Sequence, residues 1–575
     1  MKKLLIYLKN YRAQAVLAPL FKMLEACFEL IVPLVVASMI DDGIRQGNLS
    51  LVLTRAGVLV LLAVIGMVSA ISAQYFAARA ATGFATELRR SLFEKIQSFS
   101  FTELDKLGTS ALITRMTTDI NQAQNTVNMV LRLFLRSPFI VGGAFVMALT
   151  IDGKASLIFL GVIVLLTAIV VVIMKITMPM YQKVQGTLDG ITLLTRENII
   201  GARVIRAFTD EENEYRKFRG KNSLLAHFQR AAGRVSALMN PLTFVVVNLG
   251  IIALIHYGAV SVNGGRLSQG SVVALYNYLT QILVELVKLA NLIVTVTKGF
   301  ASGSRIAQVL ETENTLQHGG ELKTAAGAPA VEFRNVSLTY SGAGDQSLTD
   351  ITFTAEKGEV IGIVGSTGSG KSSLVHLIAH YYDATKGAVL VNGSNVQAYE
   401  DETLRSKIGF VMQKAVLFQG TVRDNLRWGK ADATDEEMNA ALQAAQVLDT
   451  INEKQGLDTP IEQNGANLSG GQKQRLSVAR ALVRQPEILV LDDSASALDF
   501  ATERAMREAI LSLPYHPTLF IVSQRCSSVL EADKILVLED GRCVGLGTHG
   551  ELLASCDVYR EIYYSQFEKE DAAYE

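Results

Sequence analysis

Residues Gly365 to Ser373 read GSTGSGKSS, between the apolar β-branched run VIGIVG and the helix-like stretch LVHLIAHYY. Glycines at this spacing let backbone N–H groups approach phosphate oxygens, and the start of the following helix favours anions. Lys371 is placed to reach the β and γ phosphates of a nucleotide, and Ser372 supplies a hydroxyl for Mg2+. Gly365, Ser366, Thr367, Gly368, Ser369, Gly370, Lys371, Ser372 and Ser373 therefore read as a Walker A loop for ATP. A plain Gly-rich strand-to-helix turn is the competing reading, and both the flanks and the spacing favour the phosphate site. Further on, ILVLDD places Asp492 after four apolar residues, as a magnesium-orienting Walker B acid requires.

A phosphate loop alone leaves kinases, GTPases and motor ATPases open. The discriminating string is LSGGQKQRLSVARAL, Leu468 to Leu482. On it the chain resembles the ATP-binding cassette (ABC) family, whose signature it contains intact as Leu468, Ser469, Gly470, Gly471 and Gln472. The resemblance implies that the signature opens a helix and binds the γ phosphate of ATP held by an opposite nucleotide-binding domain. A serine, glycine amides and a helix N-terminus make a reasonable anion site. It also implies that Tyr340, after VEFRNVSLT, stacks on adenine, although a core tyrosine is the plainer alternative. Gln413 in FVMQKAVLF looks like the glutamine that senses Mg2+ and the attacking water, which with Ser372 and Asp492 completes the implied metal set. Asp499 in SALD looks like the acid that communicates across a dimer.

The chain departs from the family in its catalytic positions. Asp493 stands where a glutamate normally polarises water, and Gln524 in IVSQRCSS stands where a switch histidine is expected. Aspartate is one methylene shorter, and a displacement of about 1 Å costs up to ~100-fold in rate. Glutamine bonds a phosphate but carries no imidazolium charge. Glu462, Gln463 and Asn464 replace a Gly-Glu-Arg run ahead of the signature. The expectation is an ATP pocket that hydrolyses slowly, beside a competent signature. The chain would then pair with a homologous half-transporter that supplies the glutamate and the histidine. A slow homodimer is the alternative.

The elements that position these residues divide by hydropathy. Six apolar stretches occur in the first 300 residues, roughly 15–40, 55–80, 128–150, 155–178, 240–263 and 271–297, each near the ~20 residues that span a bilayer. Pro138 and Pro241 fall in or beside the third and fifth. Lys2, Lys3, Lys9 and Arg12, with Arg89, Arg90, Lys95, Arg196, Arg203, Arg206, Arg216 and Lys217, put both termini on the cytoplasmic side; the half-transporter layout that the resemblance implies, without a targeting peptide, suggests an inner or cytoplasmic membrane. The two basic connections read as helices continuing past the membrane, with tips near Gly108–Thr118 and Glu197–Asp210. There Ile113, Ile199, Ile200, Val204 and Ile205 need cover, which the C-terminal half is expected to give. Within the spans, Lys22, Glu25 and Glu29, and Glu285 with Lys288, either neutralise one another on one helix face or line a substrate cavity. His256 reads as a satisfied bundle histidine.

Residues 311–330 lose periodicity and gain Gly, Ala and Pro, marking a linker; from Val331 apolar runs alternate with amphipathic helices. The expected architecture is an all-α six-helix transmembrane domain (1–310), of the ABC exporter type on the resemblance, fused to an α/β P-loop nucleotide-binding domain (331–575). The net charge of −1 gives no reason to expect nucleic acid. Cys27, Cys526, Cys543 and Cys556 show neither zinc spacing nor a disulfide framework, and the N-terminus lacks a signal-peptide pattern. The resemblance implies a lipid-embedded exporter of a small hydrophobic or amphipathic substrate such as a drug, lipid or peptide. An importer of the same shape and a non-transport ATPase are the other classes.

Overall fold

Six helices among the described residues are long and apolar enough to cross a membrane: α1 Lys3–Ile44, α2 Leu49–Gln97, α3 Thr109–Ile151, α4 Gly153–Ile200, α5 Glu211–Asn263 and α6 Gln269–Glu311. The computed structural model describes residues 2–320, 322, 327–495 and 497–567. Residues 321 and 323–326 of the expected linker, and 568–575 of the expected cassette, lie outside these. Two compact units emerge, Met1–Gln97 with Ser110–Thr312, and Ser98–Thr109 with Glu313–Glu575.

Each long helix contains one of the six apolar stretches and runs beyond it; α2 has 49 residues and α4 has 48, more than twice the ~20 that a bilayer needs. The prolines are absorbed by position. α3 is interrupted so that a segment restarts at Arg136–Ile151, and α5 restarts at Met239–Asn263. Pro138 and Pro241 are third in these segments, where backbone N–H groups have no intrahelical partner to lose.

The charged residues singled out within the spans meet in one network, with Arg136 also 3.8 Å from Glu25. Lys22 donates to Glu25 at 2.5 Å and Lys288 to Glu285 at 2.8 Å, as neutralisation along one helix predicts. The residue that the sequence reading missed is Arg136. Its guanidinium donates to Glu285 at 2.6 Å and to Glu29 at 2.7 Å, and Ser137 donates to Glu285 at 2.8 Å. The three cations and three carboxylates balance, which offsets the desolvation of buried charge and ties α1, α3 and α6 together. His256 corrects its expectation, because it is exposed. The buried residues of its helix include Gly250, Leu254 and Gly258, and at about 100° per residue position 256 points nearly opposite to Leu254. Ile113, Ile199, Ile200 and Val204 are also exposed. The short helix Ala202–Ala207, which carries Val204, has no buried residue at all.

In the second unit, β1 Val331–Leu338, β2 Leu348–Ala355 and β4 Lys386–Val391 form an antiparallel sheet with the short strand Ser394–Asn395. The central sheet takes β3 Val360–Gly365, β5 Ile408–Val411, β6 Ile488–Asp492, β7 Thr518–Val522, β8 Lys534–Glu539 and β9 Arg542–Gly547 in the order β9-β8-β3-β7-β6-β5. All its pairings are parallel except β8 with β9. β3 and β6 are buried along their whole length, which explains their unbroken apolar runs.

The short helix Phe101–Leu107 also belongs to this unit. Phe101 stacks on Tyr381 with ring centroids 4.4 Å apart, and the Tyr382 hydroxyl donates to Asp105 at 2.6 Å. The docked turn therefore precedes the stretch 108–118 that the sequence suggested. The reason is that Phe101 supplies the aromatic face, whereas 110–118 continue into α3.

Candidate nucleotide-binding site

Four strand ends and a loop converge on one cavity of about 760 Å³. Gly365 ends β3, Asp492 ends β6, and Gln524 and Gln413 lie just beyond β7 and β5. This is the carboxyl edge of a parallel sheet, where such folds bind ligands. Between β3 and helix α7 (Lys371–Ile378) the chain turns through Gly368 and Gly370 at φ +86° and +95°. A Cβ on Gly370 would stand 2.6 Å from the Ser347 carbonyl, so backbone conformation and space both demand glycine there.

Lys371 donates to the Gly365 and Ser366 carbonyls, both at 2.8 Å, and is 8% exposed. Burial lowers its pKa, against the opposing pull of Asp493 and Asp492. Ser372 donates to Asp492 at 2.9 Å. Burial raises the Asp492 pKa and Asp493 adds to it, while Ser372 and Lys371 act the other way. A divalent cation beside Ser372 and Asp492 would relieve that burial penalty. The buried Ser369 hydroxyl has no hydrogen-bond partner among the described residues. An unsatisfied buried hydroxyl, a buried ammonium and a glycine turn in one loop fit a polyphosphate with its magnesium. Bound there, nucleotide would supply the phosphoryl group that is hydrolysed.

Gln413 donates to Asp493 at 3.2 Å, and both line the cavity with Gln524. Tyr340 does not line it. Its hydroxyl donates to Ser373 at 3.0 Å while its ring packs edge-on against Tyr382 in an adjoining cavity. None of Leu468 to Gln472 is among the lining residues. They open helix α8 (Gly470–Leu482), where Ser469 and Gln472 form a capping box: Gln472 N–H donates to Ser469 Oγ at 3.3 Å and Ser469 N–H to Gln472 Oε1 at 3.0 Å. Leu468 is buried below, while Ser469 and Gly470 face out. Asp499 caps Phe500–Leu511 by accepting from the Thr502 N–H at 2.9 Å, and the Thr502 bonds depress its pKa.

Residues 16–286 match the profile of the ABC transporter transmembrane region and 348–496 that of the ABC transporter ATP-binding domain. A Bacillus subtilis protein called uncharacterized ABC transporter ATP-binding protein YfiB is 37% identical over 571 residues, 99% of each chain. The chain belongs to the ABC transporter family. ATP-dependent lipid A-core flippase 1 of Colwellia psychrerythraea is 29% identical over 99% of this chain and 96% of its own. The fold is shared with a bacterial Atm1-family ABC exporter solved with ATP bound, at TM-score 0.81 and 23% identity, over 97% of this chain and 99% of that one. The family assignment carries ATP hydrolysis coupled to transport across a membrane.

This transporter's cavity also includes residues that the motifs did not name, among them Asp345, Gln346, Ser347, Asp540 and Gly541. They carry no phosphate-site pattern of their own. Parallel pairing of β8 with β3, which sets Leu538 beside Gly365, brings the turn after β8 to the loop. A Thr349 N–H to Gly541 carbonyl bond of 2.8 Å then draws in the strand after Ser347.

Proposed function

We propose that this chain is one half of a heterodimeric ABC exporter in the cytoplasmic membrane, with both termini cytoplasmic and a hydrophobic or amphipathic substrate. Its membrane domain is 1–310, its linker 311–330 and its cassette 331–575. The cassette's own pocket binds ATP and Mg2+ through Gly365–Ser373, Asp492 and Gln413 but hydrolyses slowly, while Leu468–Gln472 complete the productive site of the partner. The observation that carries this reading is the pair Asp493 and Gln524 in the phosphate cavity, positions filled in the family by a glutamate and a histidine. Asp493 is already tied to Gln413. The outward-facing Ser469 and Gly470 support use of the signature by a second chain. Alternating access follows if closure of two cassettes is passed to the bundle through the helical excursions. Substrate class rests on the fold and on a relative named as a lipid flippase.

The test is co-purification with a homologous half-transporter, followed by ATPase assays. A Glu→Gln change after the partner's Walker B acid should reduce turnover by at least ~100-fold, whereas Asp493→Asn here should change it by no more than about 3-fold. Brisk ATP hydrolysis and transport by this chain alone in lipid would sink the asymmetric reading.

A further inference from the structure

Away from the nucleotide cavity, His318, His380 and Asp401 bring ligating atoms within 4.8 Å of one another. All three lie in the cassette unit, where the chain after α6 passes over the end of α7. His380 follows α7 and is 0% exposed. Its Nε2 lies 3.0 Å from Asp383 Oδ1. That contact occupies Nε2 and leaves Nδ1 on the opposite side of the ring.

That Nδ1 is buried and has no hydrogen-bond partner among the described residues. Facing it at 4.0 Å is Asp401 Oδ1, a buried oxygen also without one. Two buried polar atoms left without hydrogen bonds are unfavourable, because each has lost water and gained no partner. A cation between them reverses the sign. His318 stands on a third side, its ring centroid 5.4 Å from that of His380.

The backbone around His318 is pinned on both sides. Gln317 N–H donates to Asp383 Oδ2 at 2.7 Å, and Gly319 N–H donates to the Gln397 carbonyl at 2.8 Å. Asp383 thus holds the ring of one imidazole and the backbone position of the other. A carboxylate on the far nitrogen of a ligating histidine orients the ring and raises its basicity at metal sites. Arg405 takes the other oxygen of Asp401, with Nη2 at 3.2 Å from Oδ2, and also donates to the His380 carbonyl at 3.3 Å. The guanidinium tempers affinity but leaves Oδ1 free. A cavity of about 360 Å³ reaches His318 and Asp401 and admits water as a fourth ligand.

We propose that His318, His380 and Asp401 bind one divalent ion of the zinc class, clipping the segment after α6 to the cassette. Two imidazoles, one carboxylate and one water suit Zn2+ at ligand distances of about 2.0–2.2 Å, which small side-chain rotations supply. The site uses no residue of the Walker A loop or the signature, so it stands or falls independently of the heterodimer.

The test uses the full-length chain in detergent, chelator-treated, nucleotide-free and without a polyhistidine tag, titrated with CoCl2. One Co2+ per chain should give visible d–d absorption that ZnCl2 abolishes. His318→Ala, at an exposed position that folding tolerates, should weaken binding at least ~10-fold, as should Asp401→Asn. His227→Ala on α5 should leave it unchanged. Zn2+ should also slow amide exchange at Gln317 and Gly319 in the wild type but not in His318→Ala. Absence of a saturable band, or equal affinity in wild type and His318→Ala, would overturn the proposal.

Discussion

Side-chain length and charge set the chemistry at the residue scale. Asp493 and Gln524 share the cavity with the Walker A lysine, so on the proposed reading the pocket keeps what holds a nucleotide and lacks what activates water. On that reading the two substitutions act jointly, since general-base geometry and phosphate stabilisation act together. Asp493→Glu combined with Gln524→His should therefore raise ATP turnover of the isolated chain by at least ~10-fold, with each single change giving much less. Steady-state phosphate release measures this. Full recovery from Asp493→Glu by itself would show that the glutamine is not limiting.

At the scale of elements, the short helix Phe101–Leu107 is held to the cassette unit by few but specific bonds. Glu103 is 2% exposed and accepts from the Thr315 N–H at 3.2 Å, from its hydroxyl at 2.6 Å, and from Ser100. Burial alone would raise its pKa, but these hydrogen bonds bring it below the ordinary value. A depressed carboxylate pKa stabilises the fold above the unfolded value of about 4.3, and the contribution disappears as pH falls through the folded value. The attachment of this helix should therefore loosen below about pH 4. Hydrogen exchange at Thr315, corrected for intrinsic rate, should show lost protection there, and Glu103→Ala should show the same loss at pH 7. Unchanged protection in that variant would mean that the Phe101 and Tyr382 contacts suffice.

For the molecule as a whole, the balanced charge network of the bundle decides stability. Removing the Arg136 guanidinium leaves Glu285 buried against Glu29 and Glu25 with only Lys288 and Ser137 to hold it. Breaking such a buried set from one side costs roughly 3–5 kcal/mol, whereas replacing both partners with apolar groups costs far less. Arg136→Ala should lower the thermal unfolding midpoint in detergent substantially, and Arg136→Met with Glu285→Leu should recover most of the loss. If Arg136→Ala unfolds like the wild type, the network is not structural and its charges serve the transport path.

The sequence by itself determined the six spans, and it carries the residue patterns read as the phosphate loop, the Walker B acid, the signature and the two departures at Asp493 and Gln524. Each is local: hydropathy over one helix, or residue types within one strand-turn-helix. It did not reveal Arg136, because an arginine in an apolar run acquires partners only when α1 and α6 pack beside it. His256 was misplaced because facing depends on which side of α5 meets its neighbours. Asp345 and Asp540 entered the nucleotide cavity through parallel pairing of distant strands, and His318, His380 and Asp401 met through a loop crossing. Only the tertiary structure decided these, since burial and opposed charges depend on contacts between segments far apart in the chain.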